Sequence, residues 1–101
     1  MLKFAAVLAL AIRAENKINE EFDDYLTGKK PMDDIVEEHM WSEFKNEFES
    51  VSSNTDEAHR KKYFMESLEY IIMNNVDPKA TYKKGINNFT DLSDQEFMDY
   101  F

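Results

Sequence analysis

The chain contains no cysteine. It therefore has no disulfide framework and no thiolate nucleophile, and its redox compartment carries no cysteine mark. Two glycines and two prolines in 101 residues are too few for an all-β chain built from many tight turns. Basic residues are also scarce, 12 against 21 acidic, and the formal charge is −9. No basic stripe is present, which argues against a nucleic-acid partner and against anionic membrane surfaces. The acidity suits solubility, or docking to a basic partner. Nor is there an apolar run of the roughly 20 residues that a membrane-spanning helix needs. The apolar stretch Phe4–Ile12 has nine residues, follows Lys3 and ends before Arg13-Ala14. That arrangement resembles a minimal secretory signal. Residues 1–14 are expected to be a signal peptide, with a secreted or endolysosomal destination. A retained apolar N-terminal helix is the alternative.

What the chain does have is bulk. Eight Phe, five Tyr and one Trp give a small domain the large side chains its core needs, each able to bury roughly 150–250 Å². Glu, Lys, Ala, Met and Leu are abundant, and they favour helices. Residues 15–34 form an acidic N-terminal extension, broken at Thr27-Gly28-Lys29-Lys30-Pro31. Within it, Ile18, Phe22, Tyr25 and Leu26 would share one side of a helix over 15–27, a thin face that predicts only loose attachment.

From Asp34 onward the pattern is stronger. Val36, Met40, Trp41, Phe44, Phe48 and Val51 recur mostly three and four apart, as on an amphipathic helix. Asp33 or Asp34 can cap it, and Glu37 and Glu38 suit the dipole of its first turn. A second helix is predicted from about Asp56 to Asn75, ended by Asp77-Pro78. The stretch Thr81–Asn87 reads as a short strand. Ser93 and Glu96 form a capping box, with Leu92 and Phe97 placed as its hydrophobic staple, opening a last helix. The expected fold is mainly α: two crossing amphipathic helices, a short strand and a C-terminal helix, as a monomer.

On the second helix Asp56, Arg60, Phe64, Ser67, Ile71 and Asn75 are spaced four, four, three, four and four residues apart, along one stripe. The stripe resembles the signature Glu-x3-Arg-x3-Phe-x2-Asn-x3-Ile-x3-Asn of the inhibitory propeptides of papain-like, cathepsin L-like cysteine proteases. Arg60, Phe64, Ile71 and Asn75 match it; Asp56 keeps the charge on a shorter stem, and Ser67 replaces an amide. Trp41, Phe44, Lys45 and Phe48 are similar to the family's opening helix. Gly85, Asn87, Phe89 and Asp91 fill its second signature, and Leu92, Ser93, Glu96 and Phe97 resemble the sequel. The likeness covers residues 35–101, expected to be a propeptide-like inhibitor domain.

The resemblance implies a protein inhibitor of a papain-like cysteine protease, neither an enzyme nor a cofactor carrier. It assigns Trp41, Phe44, Phe48, Asp56, Arg60, Phe64, Ser67, Ile71, Asn75, Gly85, Asn87, Asp91 and Glu96 mainly to scaffolding. Arg60 would hold Asp91 or Glu96 through its forked guanidinium. Asn87 can brace a turn with its side-chain amide. Docking would fall to the strand and the turn after it, through Tyr82, Ile86 and Phe89, partly by strand addition. Tyr100 and Phe101 would reach the edge of the enzyme's cleft. Two alternatives stand beside this reading: a pro-region severed from its protease, acting as intramolecular inhibitor and folding aid, and a helical interaction module without a protease partner. His39 and His59 lack a second ligand at metal-binding spacing and are expected to face solvent. Asn88-Phe89-Thr90 is an N-glycosylation acceptor pattern, and a glycan there would crowd the docking face.

Overall fold

Helix starts are set by side-chain caps. Asp33 accepts from the N–H of Val36 at 2.8 Å and opens a 14-residue helix. Asp56 accepts from Ala58 N–H at 3.0 Å and opens one of 20 residues, a rod of about 30 Å. In the computed structural model, which describes residues 16–49 and 55–100, the elements are α1 (Lys17–Glu21), α2 (Asp23–Leu26), α3 (Asp34–Glu47), α4 (Glu57–Val76) and α5 (Asp94–Tyr100). The signal-like residues 1–14, Val51 and Phe101 lie outside the described residues. None of the described helices is long and apolar enough to cross a membrane.

Aromatic packing joins α3 to α4. The Phe64 ring lies 5.2 Å from Trp41 and 4.8 Å from Phe44, centroid to centroid. Phe48 continues the row 5.3 Å from Phe44. Trp41, Phe44, Phe64, Leu68 and Ile71 are buried, as the period of three and four requires.

Residues 16–26 are not loosely attached. Ile18, Phe22 and Leu26 are at most 4 % exposed and belong to the same core as the aromatic row. α1 packs on α3, and α2 packs on α4. The face looked thin because only four residues supply it, but Ile18, Phe22 and Leu26 are large and covered, and Tyr25 packs partly buried beside them. Glu47, closing α3, accepts from the N–H groups of Lys17 and Ile18 at 3.1 and 3.0 Å. Its carboxylate thereby satisfies two of the donors that the first turn of α1 leaves open. After α2 the chain turns at Gly28 with φ of +79°, against the end of α4. A Cβ there would stand 2.4 Å from Cγ1 of Val76.

The predicted strand is absent: among the described residues no strand forms, and residues 83–87 carry no regular structure. A strand needs a neighbouring backbone to complete its ladder. Here side-chain amides take that place.

Candidate functional site

The segment between α4 and α5 is held from behind by asparagines. Lys84 N–H donates to Oδ1 of Asn75 at 2.8 Å, and Nδ2 of Asn75 donates back to Lys84 C=O at 3.0 Å. Two residues on, Ile86 N–H donates to Oδ1 of Asn19 at 2.8 Å, and Nδ2 of Asn19 donates back to Ile86 C=O at 3.0 Å. Each amide thus presents a donor and an acceptor, as a neighbouring strand would. Residues 84 and 86 turn both backbone groups to the helices, the alternation of an extended chain. Asn75 also donates to Leu26 C=O at 2.9 Å, so one buried amide ties α2, α4 and the segment together. Upstream, Asn74 donates to Tyr82 C=O at 3.1 Å, and Nζ of Lys83 donates to Asn75 C=O at 2.8 Å. Burial pushes the Lys84 ammonium below its ordinary pKa.

A tight turn follows. Oδ1 of Asn87 accepts from Phe89 N–H at 2.8 Å, and Asn87 C=O accepts from Thr90 N–H at 3.1 Å. The Thr90 hydroxyl closes the loop, accepting from Asn87 N–H at 2.9 Å and donating to Asn87 C=O at 2.7 Å. Phe89 is half-buried at the head of this turn, edge-on to Phe97 of α5 at 5.9 Å. The capping box then starts α5: Ser93 Oγ accepts from Glu96 N–H, and Glu96 Oε1 accepts from Ser93 N–H, both at 3.1 Å.

Several expected placements change. Ile86 does not reach the surface; its side chain is fully buried in the hydrophobic core, pulled inward by the bonds at its own backbone. Tyr82 is half exposed and Phe89 half-buried. The side chain of Tyr100 and all of Phe101 fall outside the described residues. Nη1 of Arg60 stands 4.0 Å from Oδ2 of fully buried Asp91. Glu96 instead meets His59, 3.1 Å from its Nε2. His59 is therefore partly exposed but paired, with Glu96 of α5 as its partner. His39 is exposed but not isolated. Its Nε2 lies 3.9 Å from Glu21 and 3.7 Å from Glu43, with Phe22 edge-on to the ring at 5.3 Å. Lys17 shares Glu43 at 3.8 Å, so the group is an ion-pair cluster joining α1 to α3.

Of the scaffold positions, Ser67, Ile71 and Asn75 are buried along α4, Gly85 is buried within the segment, and Asp56 serves as a cap. Asn16 and Asn19 were missed. The signal for Asn19 was available: it lies three residues before Phe22 and seven before Leu26, an amide on an apolar stripe. A buried amide requires partners.

The comparisons with known proteins fall on this same region. The model of the cathepsin propeptide inhibitor domain matches residues 41–97. The chain belongs to that family. Its matched stretch begins at Trp41 in the aromatic row and ends at Phe97 beside Phe89, so it contains the second half of α3, all of α4 and the whole pinned segment. α1 and α2 precede it. Germination-specific cysteine protease 1 of Arabidopsis thaliana is 30% identical over 103 residues, covering 96% of this chain and 27% of the protease. Protein CTLA-2-beta of Mus musculus is 31% identical over 70 residues, covering 66% of this chain and 62% of its own length. The chain thus spans about a quarter of one of these relatives and under two thirds of the other. No solved structure matches the chain.

Proposed function

We propose that the chain is a reversible protein inhibitor of papain-like, cathepsin L-like cysteine proteases, docking through Tyr82, the backbone of residues 83–87 and Phe89. The observation that supports this is the one-sided bonding of the segment. Lys84 and Ile86 spend their N–H and C=O groups on Asn75 and Asn19. Gly85 between them is buried as well, so the face open to a partner is carried by exposed Tyr82 and Lys83 and by half-buried Asn87 and Phe89. A segment fixed in extended form from one side is one against which a partner's strand can add. Such an inhibitor needs no nucleophile and no cofactor. It would act as a monomer in a secreted or endolysosomal setting, where proteases of this class would be met.

The test is hydrolysis of a peptide substrate by a panel of papain-like proteases, with the purified chain added at micromolar concentration. Reversible, competitive slowing is expected. An inert chain across the whole panel refutes the reading and leaves a helical interaction module in its place. Phe89→Ala should raise the inhibition constant more than it lowers the denaturation midpoint. An equal collapse of both would make Phe89 core rather than contact.

A second reading shares this geometry. The plant relative aligns over only 27% of its length, as a pro-region joined to a protease would. An in-frame papain-like domain in the transcript would make the chain a severed pro-region that inhibits and templates its own enzyme.

A further inference from the structure

The helix that precedes the family-matched stretch is bonded directly to the segment proposed to dock. We propose that Asn16 and Asn19 are positioning residues of the inhibitor, fixing the backbone at Ile86 in the register that a protease meets. The idea rests on the inhibitory reading above and extends it to residues outside the matched region.

Three observations carry it. First, Asn19 is fully buried and its amide is spent on both backbone groups of Ile86, 67 residues away in sequence. Second, Nδ2 of Asn16 donates to the same Ile86 carbonyl at 2.9 Å, while its Oδ1 caps α1 by accepting from Asn19 N–H at 2.9 Å. One carbonyl thus receives two amide donors from a single helix turn. Third, α1 is itself immobilised. The Glu47 carboxylate holds its first N–H groups, and Ile18 is locked in the core. A rigid mount that grips one residue of a segment sets that segment's place rather than merely adding to stability. Asn75 grips Lys84 from the opposite helix, so the segment is clamped at two alternate residues by two independent elements.

Two full-length variants separate positioning from folding. Asn19→Ala removes both bonds to Ile86. Asn16→Asp keeps an equally good cap and replaces the donor to the Ile86 carbonyl by an acceptor oxygen that repels it. Each is read by inhibition constant, denaturation midpoint and amide hydrogen exchange at Ile86 and Lys84. Asn19→Ala should raise the inhibition constant about tenfold, the equivalent of one to two hydrogen bonds. It should speed exchange at Ile86 more than at Lys84. Asn16→Asp should also raise the inhibition constant, with a midpoint that falls less than in Asn19→Ala because the cap is kept. If Asn19→Ala loses its helical signal, Asn16→Asp carries the test alone. Folded variants that inhibit like the parent, with Ile86 exchange unaltered, overturn the proposal. Should the parent inhibit no papain-like protease, the inhibitory reading fails, and exchange decides positioning by itself. Ile86 protection that falls in Asn19→Ala upholds the clamp, and protection equal in both refutes it.

Discussion

Two parts of this molecule are held by different physics. Where α3 crosses α4, Trp41, Phe44 and Phe64 meet ring against ring, and their attraction is largely non-directional burial. From Lys84 to Thr90 the chain is held by amides and a hydroxyl, each bond set by donor and acceptor. Burial fixes that the helices cross; it tolerates small shifts in ring position. The amide clamps fix where individual backbone atoms lie, and they tolerate almost none. A protein that presents backbone to a partner needs the second kind of hold, built on the first.

The comparison breaks most sharply at the rings. Phe64 is fully buried between the helices, and Phe64→Ala should cost about 3–5 kcal/mol. That is a large share of the roughly 5–15 kcal/mol typical of a domain. Circular dichroism in denaturant should show helix content and inhibition lost together. A variant that stays folded but no longer inhibits would mean that the ring row also positions.

The amide region should behave the other way. Asn75→Leu keeps the volume close but leaves Lys84 N–H and the carbonyls of Lys84 and Leu26 without their partner. A loss of at least about 1–3 kcal/mol is expected, the usual penalty of a single unsatisfied buried group. Exchange at the Lys84 amide should rise beyond what global stability explains. Uniform loosening across all amides would show that Asn75 only stabilises.

The same contrast marks what was legible in the sequence. Periodicity reports which face of a helix is apolar, so Trp41, Phe44, Phe64 and Ile71 were readable as core. Local side-chain chemistry marks caps, so Asp33 and the Ser93–Glu96 box were readable too, whereas Asp56, read as the first residue of its helix, is its cap. Long-range partnership was not. Nothing near Asn19 says that Ile86 is its acceptor, and nothing near Thr81–Asn87 says that amides will replace a ladder. Ile86 was assigned to docking with the strand as a whole, and an extended segment does not reveal which of its sides is inner. Glu96 was offered to Arg60, yet it meets His59.

Gly28 tests whether the N-terminal pair belongs to the ring-held part. It turns at positive φ against Val76, and a left-handed backbone with a Cβ costs about 1–2 kcal/mol. Gly28→Ala should lower the denaturation midpoint accordingly. In an unstrained loop the same change would stabilise by about 0.4–1 kcal/mol through the unfolded chain. A raised midpoint would therefore detach α1 and α2 from the core.

The smallest effect concerns charge. Burial raises the pKa of the Glu37 carboxyl above its usual 4.5, and the neighbouring Asp34, Glu69, Glu38 and Asp33 push it the same way. A raised carboxyl pKa means that the fold binds the proton more tightly than the unfolded chain does. The resulting penalty is fully present above the folded pKa and fades as pH falls to the unfolded value. Acid should thus relieve this corner of α3. Glu37→Gln, which is neutral at every pH, should be slightly more stable than the parent at neutral pH. The two should converge towards about pH 4, where the carboxyl of the unfolded chain also protonates. Paired thermal melts at neutral and acid pH measure that difference directly. Because Glu37 lies at the ring-held end of the molecule, Ile86 exchange should stay the same in both proteins at each pH. A pH-dependent change at Ile86 in Glu37→Gln would couple the two regions and dissolve the distinction between them.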